Sequence, residues 1–597
     1  MGKGLAAGVI TKGRAVFLLC LWTVFLVGAG CQSKRISRIF LITFDAARWD
    51  FLPRACGNTV GRPTSMPHLA KFCQQSVVFT RAYSPFPTTT IAFASLYTGT
   101  HPLHHRIIPR YPILSPAYLT LAEQLRSHRY TTYLATGNVV INDVNLYTQG
   151  FVFYDLGSVQ TKTLSQVSLD NPDAMVAHVI KRLPTICKRR CFAHIHFAPP
   201  HSPYGAPARF FEDYPGQDYS SISTEVVLDL NRRHVAADRL PRPVYRRILA
   251  HYRARLRWAD DALGRLLHFL ELQGWLDSSV IIFTSDHGEA FGEHRSWTHN
   301  STVYEEMTHI PMVIYRPDGE PRFMHNLVNL EDLYPTLLQF VNSRADWYLP
   351  FGSVPIPVAP TDPKLPRQYS ILTAASPLVG PVGVVYRDYK YIYYRSLNLA
   401  ELYNLRRDPY EKVNRILTDY AIARRLHALI PQFTNYLQPP TTMPPMSLLA
   451  SPDARSFEQE LERLGYVGVR YLPVTAEFDL KPAPIDPVDV DADLSVIERS
   501  RVGPNTLRLR LRLINRGRAA WPYRALPSGG QVYFQCRASR DFADRQRQEL
   551  KKDVYPGQAV TFEFTINTGH RSPSNLRCEL KQAPDRVLQH FNVSLNP

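Results

Sequence analysis

Two apolar segments of the chain end in side chains that can bind a metal ion. Residues 39–44 are followed by Asp45, and residues 280–285 are followed by Asp286 and His287. In an open α/β sheet, ligands collect beyond the carboxyl ends of the strands. Two such strands would bring these carboxylates and the imidazole to one edge, where they would form part of a metal site.

A run of hydroxyl residues lies between these two segments. Thr88, Thr89 and Thr90 precede the apolar stretch 91–97, which predicts the start of a helix. Helix N-termini bind anions through their free amides, and a metal ion can activate a hydroxyl group as a nucleophile. This combination indicates chemistry on phosphoryl or sulfuryl esters.

Further motifs follow along the chain in a fixed order, at residues 45–48, 66–69, 94–99, 196–204, 258–264, 285–294, 304–306, 310–311 and 401–405. In these motifs the chain resembles the sulfatase-like branch of the alkaline phosphatase superfamily, over about residues 38–425. The resemblance implies an α/β fold with a doubly wound sheet. It also implies a hydrolase or transferase of phosphate or sulfate esters.

The resemblance places the nucleophile at Thr89. Formylglycine sulfatases use the cysteine of a Cys-x-Pro-Ser-Arg motif, and counting back from residues 94–99 aligns Thr89 with that cysteine. Ile91, Ala92 and Phe93 stand where proline, serine and arginine would be. The chain therefore looks like the threonine-nucleophile relatives, which include phosphoethanolamine and phosphoglycerol transferases as well as phosphatases. Thr88 or Thr90 would take the role if the register differs by one, and the alternative is a simple helix cap.

The metal set that the resemblance implies is Asp45, Thr89, Asp286 and His287. Ala46 replaces a second acid of the sulfatases, and His287 stands where they often have asparagine. Fewer carboxylates and an imidazole favour manganese or zinc, while magnesium or calcium stays open. We expect one divalent ion.

Two histidines match positions near the ester in this family. His201 and His299 are predicted catalytic residues that assist the leaving group and contact the substrate. His294 and Arg48 are further predicted substrate-binding residues. His294 is either a ligand or a residue that supports the ligands from behind, and Arg48 could instead orient Asp45 or cap the sheet edge. Ordinary loop histidines are the alternative reading of these positions. Glu305 and Glu306 are expected to be helix-surface or structural acids.

These motifs predict a metal-dependent hydrolase that cleaves a phosphate mono- or diester through a metal-bound threonine. The alternatives are a phosphoethanolamine- or phosphoglycerol-type transferase acting on envelope glycans or lipids, a sulfatase, and a non-catalytic envelope binding protein. The multi-span membrane domain of many transferases is missing, which favours hydrolysis.

Charge and cysteines bear on partners and location. Lys+Arg 69 against Asp+Glu 51 gives a net charge of +18. This is either an ordinary solvated basic surface or one that attracts an anionic envelope surface or an anionic ester of a glycan, lipid or small molecule. No nucleic-acid motif is present.

Residues 1–31 are predicted to be a signal peptide, a lipoprotein signal ending at Cys31 or a membrane anchor. We therefore expect an exported protein at the periplasmic or extracytoplasmic face, anchored to the membrane. Proximity predicts the disulfides Cys56–Cys73, Cys187–Cys191 and Cys536–Cys578, with free thiols as the alternative.

The chain divides into four predicted parts: the N-terminal segment 1–31, a catalytic domain 38–436, a proline-rich linker 437–485 and a β-sandwich domain 486–597. Apolar residues recur with a 3.6-residue period over 244–273, which predicts a long helix before the strand 280–283. Residues 119–128 and 130–136 read as a helix and a strand, and 456–464 as a short helix. Leucine and arginine alternate over 507–513, typical of a half-buried strand.

Overall fold

The computed structural model describes most of the chain up to residue 430 and a set of C-terminal strands. The described residues are 36–61, 63–109, 112–157, 170–215, 218–341, 353–357, 367–375, 380–395, 399–430, 492–503, 506–515, 532–538, 545–549, 559–567, 575–582 and 586–594. The predicted N-terminal segment 1–31 and the whole predicted linker 437–485, with the predicted helix 456–464 inside it, lie outside these residues. Among the described residues, no helix is both long enough and apolar enough to cross a bilayer.

A large mixed sheet forms the centre of the catalytic region. Its strands are β1 (Arg38–Asp45), β2 (Val77–Tyr83), β3 (Thr131–Thr136), β4 (Phe153–Leu156), β5 (Cys191–Pro200), β6 (Ser279–Ser285), β9 (His309–Tyr315), β10 (Arg322–Met324) and β11 (Val328–Asn329), with β7 (Ala290–Phe291) and β8 (Trp297–Thr298) forming a separate ribbon. The strand order is β10-β2-β9-β6-β1-β5-β3-β4, with β11 also beside β2. Strand β9 runs antiparallel to both β2 and β6, so the sheet is mixed.

Strand β1 lies in the middle of the sheet, and its sequence explains why. Residues 39–44 are fully buried, as expected for a strand covered on both faces. Its side chains alternate between two apolar cores: Phe40 faces one core, and Ile39 faces the other. The predicted strand 280–283 is confirmed as the interior of β6, which pairs with β1 in parallel.

Helices cover both faces of this sheet, which confirms the doubly wound arrangement. Helix Arg242–Leu272 contributes its apolar stripe to the first core. It ends before Gly274, whose φ of 64° suits a helix C-terminus. The buried helix Thr89–Thr98 packs on the opposite face. The other α-helices are Pro67–Gln74, Pro102–His105, Leu121–Ser127, Pro172–Ile186, Thr224–Arg232, Glu305–Thr308, Leu333–Val341 and Tyr420–His427. The 3-10 turns are Trp49–Phe51, Arg54–Cys56, Ala208–Phe210, Ala237–Arg239, Leu276–Ser278, Glu293–Arg295 and Leu330–Asp332.

Three antiparallel sheets complete the described part of the chain. The first contains β12 (Tyr369–Thr373), β13 (Pro381–Tyr386), β14 (Tyr389–Tyr394) and β15 (Leu399–Asn404). The C-terminal strands are β16 (Ala492–Gly503), β17 (Thr506–Asn515), β18 (Val532–Ala538), β19 (Arg545–Glu549), β20 (Ala559–Asn567), β21 (Asn575–Gln582) and β22 (Arg586–Ser594). They form the sheets β16-β17-β20 and β19-β18-β21-β22, in agreement with an all-β C-terminal part. The three predicted disulfides are all present.

Candidate active site

The two predicted metal-binding acids lie at the same edge of the sheet. Strands β1 and β6 are parallel neighbours, and Phe44 is in register with Ser285, so Asp45 and Asp286 follow at the same level. Both carboxylates are fully buried. Asp286 Oδ1 accepts hydrogen bonds from the backbone N–H groups of Ala46, at 3.1 Å, and His287, at 2.9 Å. The turn after each strand therefore holds the carboxylate in place.

A histidine that the sequence analysis did not select completes this group. His196 lies near the end of β5, beside Thr43 of β1, and its Nε2 lies 3.5 Å from Asp45 Oδ2. Asp45 Oδ2 also accepts a hydrogen bond from the side-chain amide of Asn138. The sequence signal was a polar residue inside a buried strand, at the first position of the motif 196–204. We call Asp45, His196, Asp286 and His287 the metal cluster.

The metal cluster contains ligand atoms that suit a divalent cation. One ligand atom each of Asp45, His196 and Asp286 lies within 4.8 Å of the others. Within the part of the chain that the structure describes, Asp45 Oδ1, His196 Nε2 and Asp286 Oδ2 are buried without a hydrogen-bond partner. Buried polar atoms are nearly always paired, so converging orphan atoms require an explanation. A bound cation would satisfy all three at once, and the residues therefore fit the metal that the family implies.

The histidines around Asp45 keep its carboxyl group charged. Burial alone would raise the pKa of Asp45, but in the metal-free protein the neighbouring His201, His196 and His287, in their protonated forms, outweigh burial and hold that pKa well below its ordinary value. An ionised carboxylate is the form that binds a metal ion.

Thr89 begins the helix Thr89–Thr98 and faces the metal cluster. Its Oγ1 lies 3.2 Å from His287 Nε2. His287 donates from Nδ1 to the carbonyl of Gly288 at 2.8 Å, which leaves the lone pair of Nε2 directed at Thr89 and the two carboxylates. The hydroxyl of Thr88 instead donates to the carbonyl of Pro87. Of Thr88 and Thr89, it is therefore Thr89 whose hydroxyl lies beside the metal cluster.

His201 and His299 lie beside this group. The ring centroids of His287 and His299 are 4.3 Å apart, and those of His299 and His201 are 5.0 Å apart. His201 donates from Nδ1 to the carbonyl of Ser202 at 2.6 Å. His299 Nδ1 donates to Glu289 Oε1 at 3.1 Å, and Tyr204 donates to the other oxygen of this carboxylate. Burial would raise the pKa of Glu289, but His299 outweighs burial and lowers it. Glu289 thus holds the ring of His299, a role that the sequence analysis missed.

Arg48 and His294 have other partners. Arg48 pairs with Asp50 at 2.8 Å and with Glu293 at 2.9 Å. His294 pairs through Nδ1 with Glu306 at 2.9 Å and donates from Nε2 to the carbonyl of Glu411. Both side chains line a cavity of 820 Å³. The structure does not bring them into the metal cluster, and their predicted contact with substrate stays a prediction.

His294 belongs to a second buried polar group, which we call the lysine cluster: His294, Glu305, Glu306, Lys390 and Glu411. Lys390 is fully buried, and its Nζ lies 3.1 Å from Glu305 Oε1 and 3.2 Å from Glu411 Oε1. Glu305 and Glu306, expected as helix-surface or structural acids, are buried structural acids. This cluster joins helix Glu305–Thr308 to β14 and to the segment that follows β15.

Comparisons with known proteins agree with this arrangement. The family model described as Sulfatase matches residues 37–343, which is more than half of the chain. The chain is 29% identical over 163 residues to the uncharacterized sulfatase YidJ of Escherichia coli, covering 26% of this chain and 32% of that protein. It is 28% identical over 181 residues to the N-acetylglucosamine-6-O-sulfatase of Bacteroides thetaiotaomicron, covering 28% and 32%. The matched segments thus span about a third of these relatives.

Solved structures show the same fold over more of the chain. The putative sulfatase YidJ of Bacteroides fragilis gives a TM-score of 0.55 at 20% identity, covering 68% of this chain and 97% of that one. The phosphonate monoester hydrolase of Silicibacter pomeroyi gives 0.51 at 20% identity, covering 67% and 95%. Given the match to the family model over the region that carries the metal cluster, the chain belongs to the sulfatase family within the alkaline phosphatase-like superfamily.

Proposed function

We propose that this protein is a metal-dependent hydrolase that cleaves a phosphate mono- or diester through Thr89. The observation that carries the proposal is the position of Thr89 Oγ1, at a helix N-terminus and 3.2 Å from His287 Nε2. The carboxylates of Asp45 and Asp286 lie against the same imidazole, at 3.8 and 3.4 Å. A hydroxyl nucleophile, anionic ligands and helix amides together suit the attack on an anionic ester.

Asp45, Asp286, His287 and Thr89 would hold one divalent cation. When bound, such a cation lowers the pKa of a coordinated hydroxyl and neutralises charge on the ester oxygens. We favour manganese or zinc over magnesium or calcium, because imidazole ligands suit transition metals. The fully buried position of these side chains keeps their geometry fixed before substrate arrives.

The reaction would take two steps. Thr89 Oγ1 attacks the phosphorus atom, a Thr89 O–P bond forms, and the bond from phosphorus to the ester oxygen breaks. His201 or His299 gives a proton to the departing alkoxide. Water then attacks phosphorus, the Thr89 O–P bond breaks, and the threonine hydroxyl is restored with release of phosphate or a phosphate monoester. The Thr89 hydroxyl gives up its proton to solvent as Oγ1 attacks and regains one from solvent in the second step, while the histidine regains its proton from the attacking water. The balance therefore needs only the ester and water.

Sulfate ester hydrolysis is the second candidate. It is favoured by the relatives, which include the N-acetylglucosamine-6-O-sulfatase of Bacteroides thetaiotaomicron and the choline-sulfatase of Rhizobium meliloti. Against it stands Thr89, since the position holds no cysteine that could become formylglycine. The phosphonate monoester hydrolases among the structural neighbours support attack on phosphorus within this fold.

We also infer an exported protein. The three disulfides support this inference, because such bonds persist in oxidising compartments. Attachment to the cell envelope through residues 1–31, and the domain boundaries at 436 and 486, remain our proposals.

The test is turnover by the purified full-length chain. An aryl phosphate monoester, a phosphate diester, an aryl phosphonate and an aryl sulfate are each assayed with manganese, zinc, magnesium or calcium. We expect metal-dependent cleavage of a phosphate ester, and a loss on the order of 10³-fold or more in Thr89→Ala. Thr88→Ala, which removes the neighbouring hydroxyl, is the matched control and keeps activity within about tenfold of the parent chain.

Each of the other outcomes would indicate a different function for this protein. Cleavage of the aryl sulfate alone would overturn the choice of phosphorus. Bound metal without turnover on any ester would point to a transferase that needs its own acceptor. No metal and no turnover would leave a binding protein.

A further inference from the structure

We propose that His196 is a further metal ligand of this centre and that Thr43 is the residue that fixes the orientation of its ring. The inference rests on the proposed metal-dependent function and adds residues that its predicted ligand set lacks. His196 is fully buried on β5, with Nε2 directed at Asp45. Its Nε2 converges with ligand atoms of Asp45 and Asp286 inside 4.8 Å.

The other ring nitrogen of His196 is occupied. His196 Nδ1 lies 2.8 Å from Thr43 Oγ1, on the neighbouring strand β1. If Nδ1–H donates to this oxygen, the lone pair of Nε2 is directed at the two carboxylates. Metal-bound histidines characteristically donate their second N–H in this way, which fixes the tautomer and the ring.

The partners of Thr43 allow this direction of donation. Thr43 Oγ1 also lies 3.0 Å from His194 Nε2, and His194 Nδ1 lies 2.7 Å from the hydroxyl of Tyr97. Thr43 then donates to His194 Nε2, and His194 donates from Nδ1 to Tyr97. The series Tyr97, His194, Thr43 and His196 is thus one hydrogen-bonded chain that ends at the metal cluster.

His194 provides an internal comparison. It lies two residues before His196, so both side chains leave β5 on the same face. Both histidines are fully buried. Each nitrogen of His194 has a hydrogen-bond partner, as expected of a structural histidine. His196 Nε2 has none among the described residues. The difference between these two neighbours is the argument for a ligand at His196.

A second imidazole among the protein ligands changes which ions the site prefers. Asp45 and Asp286 supply oxygen, while His196 and His287 supply two imidazoles. Calcium takes six to eight oxygen ligands, whereas zinc, cobalt and manganese accept imidazole together with carboxylate. The site is therefore a transition-metal centre.

The test measures metal binding without substrate. Full-length chain is freed of metal by chelator dialysis, and cobalt affinity is measured by competition with a chromophoric chelator. We expect His196→Ala to weaken cobalt binding by about 10- to 100-fold and to shift the absorption bands of the bound ion. Thr43→Val is expected to weaken binding by about tenfold or more, and Thr43→Ser to restore it because it keeps the hydroxyl. His194→Ala is the matched comparison: it removes only the far end of the hydrogen-bonded chain, so it should change cobalt affinity and the absorption bands less than His196→Ala does.

Unchanged affinity and spectrum in His196→Ala would overturn the ligand assignment. The ligand assignment would also be overturned if His194→Ala shifts the spectrum as much as His196→Ala does, because the effect would then be structural. Equal binding by Thr43→Val and the parent chain would overturn the role of Thr43. Thermal unfolding of the metal-free variants checks that each is folded. Ester turnover is scored separately: cobalt binding that depends on His196, without cleavage of any ester, rejects the proposed function alone.

Discussion

The metal cluster and the lysine cluster are both buried and rich in acids and histidines, yet their charges are arranged differently. In the lysine cluster, Lys390 lies between Glu305 and Glu411, and His294 pairs with Glu306. In the metal cluster, atoms of Asp45, Asp286 and His196 converge without hydrogen-bond partners among the described residues. Buried charges persist when they are paired. The lysine cluster supplies its own cation, Lys390, whereas no ion pair with lysine or arginine joins Asp45 or Asp286 among the described residues. The comparison teaches that the lack of an internal cation, rather than burial or residue type, distinguishes a candidate ligand site from a structural ion network.

The two clusters meet at Gly288. Its N–H donates to the carbonyl of Met307 at 2.8 Å, directly after the metal cluster residue His287. A Cβ atom at this position would come within 2.1 Å of the carbonyl oxygen of Glu306. Only glycine allows this approach. The helix that carries Glu305 and Glu306 therefore supports the loop that carries Asp286 and His287.

The largest expected effect concerns the metal cluster. Asp286→Asn keeps an oxygen that can accept from Ala46 and His287 but removes the charge. We expect ester turnover to fall on the order of 10³-fold and metal to be lost, because the cation loses an anionic ligand. The metal-free protein should unfold at an unchanged or higher temperature, since an uncompensated buried charge is gone. Metal analysis, turnover and calorimetry test this; a large loss of metal-free stability would contradict the comparison.

The next effect concerns the lysine cluster. Lys390→Met leaves Glu305 and Glu411 without their cation, and we expect the free energy of unfolding to fall by about 3–5 kcal/mol. Turnover per folded molecule should stay within about tenfold, because Lys390 does not contact the metal cluster. Chemical denaturation of the parent and variant measures the difference.

Lys412→Met is the matched control for Lys390→Met. Lys412 is exposed, so its replacement should change the free energy of unfolding by no more than about 0.5 kcal/mol. A similar small change in Lys390→Met would mean that the lysine cluster contributes nothing to stability.

The smallest effect is a pH dependence of stability. Burial alone would lower the pKa of His294, but Glu306 outweighs it and raises the pKa to about 10, while burial raises the pKa of Glu411 to about 8. Both groups bind protons more tightly in the folded state. The free energy of unfolding therefore falls as pH rises. His294 contributes to this fall between about pH 6.5 and 10, and Glu411 contributes between about pH 4.5 and 8.

Between pH 7 and 8 we expect a loss of about 2 kcal/mol in the metal-free protein. Denaturation at a series of pH values measures this slope. The side chain in Glu411→Gln does not titrate, so in this variant the free energy of unfolding should fall less steeply with pH. A flat or upward slope between pH 7 and 8 would contradict the raised pKa values of His294 and Glu411.

The sequence predicted the elements whose pattern is local. Residues 244–273 were predicted as a helix from their apolar period, and the structure confirms it as Arg242–Leu272. Continuous apolar runs identified β1 and β6. The disulfides were predicted from proximity alone, and Cys536 does face Cys578 in adjacent strands. Local spacing sufficed for the helix, the two strands and the two short-range disulfides, because each involves neighbours along the chain or a single buried strand. Cys536 and Cys578 are 42 residues apart, and their contact depends on the pairing of two strands.

The features that were missed depend on contacts between distant segments. His196 could not be told from His194 in the sequence, since only the positions of Asp45 and Tyr97 give the two rings different partners. Lys390 becomes a buried cation only when β14 meets the helix Glu305–Thr308. The antiparallel direction of β9 also follows from tertiary packing, because its apolar sequence suits either direction.

The register of the three central strands has a consequence for how this fold diversifies. Phe44 pairs with Phe197 on one side and with Ser285 on the other, so backbone pairing sets the height of the metal cluster in the sheet. The surrounding loops do not set that height, and insertions in them leave it untouched. The same fold occurs in the solved structures of the putative sulfatase YidJ of Bacteroides fragilis and the phosphonate monoester hydrolase of Silicibacter pomeroyi. Changes confined to the loops could therefore alter which ester reaches the metal cluster without moving it. Evolution can thus change the substrate while it inherits the reactive centre.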